Sequence, residues 1–570
     1  MDALRLAQPG SFPPHQITPS EHIMKKRLCH TIWQQLLTTL AIFLSQSGQA
    51  QEWLLQTEQP LEAQQVLTQE LSLPANHIVT GLLTGPEGTR LSLTSKGEHL
   101  RWLLTGEYPS ADFIFTVPAT GRYQLNIISP VAGKATLSIR QPVAINYFQP
   151  AGKVISELPP ATDTTFSDIS PSDIILSDKV KQALSHYLQH RDEQAAWQQL
   201  TANGVPSVEA IDSNTDRVTF LYRGARHNVK LMRGPSGTHE FLDQLANSAI
   251  WFKSFDVPSD TLLSYQLAPD TPTRLKHLPG PNVLLASARQ DPMNPMQRTT
   301  SQYADVFNTE SVLALRDAAL SPWLNAPLTP PHVEHHRFTS QRLNNERRVS
   351  IAWPSLAEGQ RPTAVAIFFD GRAHQSTIPA ANIVQNLIDA GEIPATLCVF
   401  INNPSRQARN TELPANDHFA DMLAFELMPW LRQTTGLEFD AENTLLAGAS
   451  YGGLAAVFSS WKHPDVFGLA LSQSGSFWWP ANGKEPEWLT RQLANSATGT
   501  SRFYLNAGRF ETGFASIDIL ESNRHLRTVL QAKGYDVVYE EFSGNHDSLQ
   551  WRNNLANGLM ALLGTRTNEI

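Results

Sequence analysis

The run from Thr444 to Leu454, Thr-Leu-Leu-Ala-Gly-Ala-Ser-Tyr-Gly-Gly-Leu, constrains the fold more than any other part of the chain. An apolar, strand-like segment enters a glycine-pinched turn, and a helix-compatible segment leaves it and continues to Trp461. The turn itself is a G-x-S-x-G. Gly448 and Gly452 are expected to remove the Cβ atoms that would collide where strand and helix nearly touch. Such a strained turn lifts a serine side chain clear of the strand ends, which makes Ser450 the expected nucleophile. The pattern alone also arises by chance, so the weight rests on the residues downstream.

A serine hydroxyl needs a base to attack, and the base needs an acid to fix its tautomer and stabilise its charge. Downstream, the strand-like run 502–506 leads into Ala507-Gly508-Arg509-Phe510-Glu511, and the run 536–542 leads into Ser543-Gly544-Asn545-His546-Asp547. Serine, acid and histidine therefore fall on successive loops at strand ends. His546 stands before the helical pattern 549–563 and is expected to be the base, with Glu511 as its acid. Asp518 and Asp547 are the rival acids. An oxyanion needs preorganised donors. Tyr451 N–H supplies one, and the loop Phe369-Asp370-Gly371-Arg372 after a buried run is expected to supply another from Gly371 or Arg372. Strand and helix patterns alternate from Arg347 onward. Together these features predict an α/β fold with an α/β-hydrolase catalytic domain over residues 328–570.

The region before it reads differently. Short alternating segments at 91–94, 101–104, 112–117, 123–128 and 135–139, separated by Gly, Pro and Ser turns, predict a β-rich, sandwich-like accessory domain over 51–170. A Ser, Thr, Asp and Pro-rich linker at 159–173 precedes helical spacing at 178–202, so 171–204 reads as a linker with helices that joins domains. Further strand patterns at 217–222, 228–232, 250–255 and 262–267 predict a second β-sandwich over 205–327. Residues 1–50 read as an address. Lys25-Lys26-Arg27, an apolar run at 32–44 and a small-residue end at Ala50 predict an extension followed by a signal peptide starting near Met24. Gln34, Gln35, Thr38 and Thr39 make that run too polar for a good membrane span, and a periplasmic mature protein is expected.

With 41% hydrophobic and 17% charged residues the chain is globular, and a net charge of −9 argues against general nucleic-acid binding. Two cysteines, Cys29 and Cys398, leave no disulfide framework, and Cys398 lies in a run of buried-strand character. His332, Glu334, His335 and His336 suggest a metal, but neighbouring strand residues point to opposite faces, so a solvated strand edge is expected. Nothing in the catalytic region calls for a metal, nicotinamide or phosphate cradle, and no cofactor is expected.

Several stretches are more specific than the elbow. Phe369-Asp-Gly371, Arg409-Asn-Thr-Glu-Leu-Pro414 with Asn416, the elbow, His463-Pro-Asp-Val-Phe-Gly468, Leu471-Ser-Gln-Ser-Gly-Ser-Phe-Trp-Trp-Pro480 and Gly544-Asn-His-Asp547 with Trp551-Arg552 resemble the enterochelin (enterobactin) esterase family. Trp251 and Gln290-Asp-Pro-Met-Asn-Pro295 extend the resemblance back to about residue 205. The resemblance implies hydrolysis of ester bonds in catecholate siderophores, with a ferric catecholate complex as partner. A bulky aromatic anion calls for cations and aromatic faces. Arg409, Arg372, Trp478 and Trp479 are the residues that would meet it. For each tryptophan, domain packing is the alternative; for Arg409, it is a structural bridge to Glu412 or another acid. The elbow and triad do not by themselves choose an acyl group, so feruloyl, acetyl or short acyl esters stay open, as does a non-catalytic siderophore-binding role.

Overall fold

Three runs near the centre of the catalytic region, Ala364–Phe368, Thr396–Ile401 and Thr444–Ala449, are buried at every residue. A strand covered on both faces belongs inside a parallel sheet with helices on each side. In the computed structural model they are the middle of an eight-stranded sheet. The strands are β1 (His332–Ser340), β2 (Asn345–Trp353), β3 (Ala364–Phe368), β4 (Thr396–Ile401), β5 (Thr444–Ala449), β6 (Leu469–Gln473), β7 (Arg502–Gly508) and β8 (Asp536–Phe542), in the order β1-β2-β4-β3-β5-β6-β7-β8. Only β1–β2 and β2–β4 pair antiparallel; from β4 to β8 every pairing is parallel. This is the α/β-hydrolase fold. The structure describes residues 53–564 apart from 146–147, 149–151, 158–176, 238, 273–282, 300, 302, 482 and 514–517. The expected leader with Cys29, and the expected linker at 159–173, lie outside the described residues.

Two apolar layers hold the sheet. One face buries Ile367, Val399, Leu446 and Phe503 against the helix carrying Leu454 and Phe458; the other buries Phe368, Phe400, Leu445 and Tyr504 against Ile383, Leu555 and Leu559. The helix after the elbow, Tyr451–Lys462, is buried without interruption from Gly452 to Ser460. A helix apolar on all sides belongs in an interior. Cys398 is a fully buried free thiol in β4, and burial pushes its pKa up.

Two antiparallel sheets around Phe113, Phe115, Leu125, Ile127, Leu137 and Ile139 form the first sandwich, from Trp53 to Ala144. A second pair of sheets encloses Phe220, Trp251, Leu263 and Tyr265. The helices Asp178–His190 and Glu193–Thr201 do not merely connect these regions. Val180, Leu184, Ala196 and Leu200 pack on Leu221, Leu245 and Phe252, so the hairpin covers an outer face of the second sandwich. Among the described residues no helix is long and apolar enough to cross a membrane.

Candidate active site

Ser450 sits at φ 58°, ψ −121°, between β5 and its helix. A non-glycine residue in that region costs on the order of 1–3 kcal/mol, so the surroundings must hold it there. Its N–H donates to Gln473 O at 2.9 Å, and its carbonyl accepts from the N–H groups of Leu454 and Ser476, both at 3.1 Å. Gly448 is required: a Cβ there would lie 2.6 Å from Gly452 C and 2.7 Å from Gly452 O. The expected matching role of Gly452 is corrected. A Cβ at 452 would point towards Phe369 and Asp370 at an ordinary 3.5 Å, not back at the strand. Gly453 is the second tight position, because its Cβ would press on Ser472 Oγ and lie 3.2 Å from Gly475 Cα.

The loops after β7 and β8 are joined by backbone. Arg509 N–H donates to Phe542 O at 2.9 Å and Phe510 N–H to Gly544 O at 3.1 Å. Gly508 permits this, since a Cβ there would run into Gly544 O and the Phe542 ring. The join brings Glu511 Oε1 to 3.3 Å from His546 Nδ1. The Glu511 carboxylate is fully buried, whereas the imidazole is 36% exposed and open to a ligand. Ser474 Oγ donates to Glu511 Oε1 at 2.7 Å and accepts from Trp551 Nε1 at 2.9 Å, while the Trp551 ring stands edge-on to His546 at 4.9 Å. These two residues orient acid and base together. Ser474 and Trp551 lie in the family-like motifs, but their spacing carries no sign of this pairing. Nor does that of Ser476, whose Oγ is 3.3 Å from Ser450 Oγ.

The rival acids are engaged elsewhere. Asp518 caps the helix Ile519–Ala532 by accepting from Glu521 N–H at 2.9 Å. Asp547 caps the helix Ser548–Leu563 through Leu549 N–H at 3.0 Å, and it also binds Ser264 N–H at 3.1 Å and Arg298 at 3.2 Å. Burial alone would raise the Asp547 carboxyl. Arg298, Arg233 and these N–H bonds outweigh burial and hold it below its usual value.

Gly371 opens the short helix Gly371–Gln375, as Tyr451 opens its own. First-turn N–H groups have no intrahelical acceptor, so both can point at an anion. No larger residue fits at 371, where a Cβ would meet Ile401 N and Phe400 C at 2.7 Å. Asp370, at φ 50°, is gripped by Arg409: Nε to Oδ1 at 2.7 Å and Nη2 to Oδ2 at 2.8 Å. The same guanidinium lies 5.8 Å from the centre of the Tyr451 ring. Of the two expectations for Arg409, the bridge is what the geometry displays, but to Asp370; Glu412 pairs instead with Arg347 at 2.8 Å. Because a lysine cannot reproduce the fork, Arg409→Lys is expected to lower kcat about tenfold through misplacement of the 370–371 loop, with KM within about twofold. Steady-state kinetics at two salt concentrations check this; a loss confined to KM and relieved by low salt would assign Arg409 to anion binding.

The other expected contacts separate. Arg372 lines the cavity beside the elbow and donates to Glu107 O at 3.0 Å. Trp478 stands 6.2 Å from the Tyr451 ring, next to the elbow, whereas Trp479 packs edge-on against Trp488 at 6.1 Å. His332 and His336 flank Glu334 on one strand face at 3.7 and 3.3 Å, and His335 bonds Ser350 on the other face. No group able to hold a metal ion occurs among the described residues. A cavity of about 990 Å³ borders the site at Asp370, Arg409, Ala449 and Trp551.

Comparison with known proteins yields two family models. Residues 340–562 match "Putative esterase" and residues 217–324 match "Enterochelin esterase, N-terminal". The iron(III) enterobactin esterase of Escherichia coli O6:H1 is 32% identical over 298 residues, covering 51% of this chain and 72% of that protein. Among solved structures, the ferric enterobactin esterase of Salmonella typhimurium is 27% identical with a TM-score of 0.53, over 65% of this chain and 98% of the other. The enterobactin esterase of Shigella flexneri, solved in the presence of enterobactin, gives 25%, 0.52 and the same coverage.

Proposed function

The chain belongs to the enterobactin (enterochelin) esterase family, and on that premise we propose that it is a serine esterase cleaving ester bonds of catecholate siderophores to release iron. The observation that best supports a working site is the 3.3 Å approach of buried Glu511 to His546 Nδ1. In this reading the glutamate holds the proton on Nδ1 and leaves Nε2 as the base. Ser450 Oγ attacks the ester carbonyl and its proton passes to His546 Nε2. Tyr451 N–H and the Gly371 or Arg372 N–H receive the oxyanion. Collapse expels the alcohol, protonated by His546, and leaves an acyl-serine. Water, deprotonated by His546, then returns the carboxylic acid and free Ser450.

Chromatography of ferric and iron-free enterobactin incubated with the protein tests this. Linear trimer, dimer or monomer are the expected products, absent with Ser450→Ala. Intact siderophore beside a cleaved feruloyl ester would move the activity to other acyl groups. Unchanged products from Ser450→Ala would remove the serine mechanism.

The same reading extends to location. Lys25-Lys26-Arg27 ahead of an apolar run and a small-residue end supports export to the periplasm. A periplasmic enzyme would meet the siderophore soon after its passage through the outer membrane. Fractionation of cells producing the full chain, with a shortened species in the periplasm, is the expected result; a full-length cytoplasmic species would overturn it.

A further inference from the structure

The cavity beside the elbow has a wall that neither family model reaches. The matched segments are 217–324 and 340–562, and the first sandwich lies outside both. Yet two of its turns, at residues 85–87 and 105–109, line the cavity that Asp370, Arg409 and Trp551 border.

These turns are fixed in shape and position. Gly88 and Gly106 take φ of +84° and +83°, and a Cβ on Gly106 would lie 2.7 Å from Gly88 O, so the two turns touch backbone to backbone. Only glycine combines that contact with that φ. Towards the catalytic domain, Glu107 O accepts from Arg372, the residue after Gly371, and Glu87 pairs with Arg348 at 3.3 Å. On the other side Arg101 donates to Leu285 O and Ala286 O at 3.2 and 3.0 Å. The sandwich is thus tied both to the second sandwich and to the oxyanion loop itself.

Tyr108 is the next residue after Glu107, half-buried in the lining of this cavity. Burial, and then the nearby Asp370 carboxylate, push its phenol above the ordinary value, so at neutral pH it is an uncharged ring with a hydroxyl. An uncharged aromatic wall close to the Arg409–Asp370 pair suits a flat aromatic group and adds nothing for a small acyl group.

We propose that the first sandwich completes the substrate site, with Tyr108 as a specificity-determining residue that packs against an aromatic arm of the ester. The identity of that arm as a catecholate rests on the siderophore reading; the aromatic wall does not.

The test uses the full chain, with Tyr108→Ala and Tyr108→Phe compared on enterobactin, ethyl benzoate and ethyl acetate. Tyr108→Ala is expected to raise KM about tenfold on the two aromatic esters, with kcat within about twofold and acetate hydrolysis unchanged. Tyr108→Phe is expected to behave as wild type, because the ring makes the contact. Unaltered kinetics on both aromatic esters would overturn the proposal. So would equal losses on all three esters, which would mean that the turn only props the oxyanion loop. If the wild-type protein leaves enterobactin intact while benzoate still separates Tyr108→Ala from wild type, the siderophore reading falls and the wall stands.

Discussion

Replacing Ser450 with alanine is expected to lower kcat/KM on every ester by about 10⁴-fold or more, because in the proposed mechanism loss of the nucleophile removes the whole acyl-transfer route. The fold should be almost untouched. The bonds that hold the elbow are made by the Ser450 backbone, to Gln473, Leu454 and Ser476, and alanine keeps them. The side chain contributes one contact, to Ser476 Oγ at 3.3 Å. Loss of a single weak hydrogen bond is worth at most about 1 kcal/mol. Thermal unfolding should therefore superimpose on wild type while turnover disappears. Retained turnover would assign the nucleophile elsewhere, with Ser476 the first alternative to examine.

The second large effect is on stability. Asp547→Ala is expected to cost about 3–5 kcal/mol, the range for removing one partner of a buried ion pair. The Arg298 side chain is 9% exposed and Asp547 1% exposed, so the loss leaves a buried guanidinium with Glu310 as its remaining carboxylate. The Ser264 N–H and the helix cap at Leu549 lose their acceptor as well. Urea unfolding measures the cost, and a change below about 1 kcal/mol would show that the pair is solvated. The pH dependence has a definite sign. The Asp547 carboxyl is held below its usual value in the folded state, so its contribution is present above about pH 4, where the unfolded group ionises, and is lost as pH falls through the folded value. The wild-type protein should therefore lose stability in that acid window more steeply than Asp547→Ala. Parallel curves would exclude this carboxylate as the source.

The catalytic sheet was legible because its three central strands are apolar apart from Thr396 and Thr444 at their starts, and only a parallel sheet between helices covers both faces of such strands. The elbow was legible for a related reason: Gly448 leaves a direct local mark, the absence of a Cβ where two backbones meet. Acid assignment could not be read in this way. Glu511, Asp518 and Asp547 are three carboxylates near strand ends with equivalent local surroundings. Asp518 and Asp547 each cap a helix, Asp547 also reaches residues 249 and 283 positions away, and Glu511 instead meets Ser474 and His546. The strands Trp53–Leu61 and Val66–Leu73 escaped the reading because Thr57, Gln59 and Gln69 interrupt the inward row of Leu55, Leu61, Leu67, Leu71 and Leu73, while Trp53, Leu54 and Val66 stand exposed. For Arg409 both a substrate contact and a structural bridge stayed open in the sequence, because an arginine in a motif does not display the aspartate it pairs with, here Asp370.

The loop that carries His546 is fastened mainly to another domain. Ser543 O accepts from Leu262 N–H, Asn545 donates to Arg233 O, and Asp547 reaches Ser264 and Arg298, all on the second sandwich. On the proposed mechanism, a sheet that has formed with its elbow in place would still hold His546 incompletely until the sandwich arrives. On that reading, activity would report assembly. On dilution from denaturant, recovery of turnover should lag the recovery of sheet and helix signals and follow the slower step of domain docking, so that a half-assembled molecule is folded and silent rather than folded and indiscriminate.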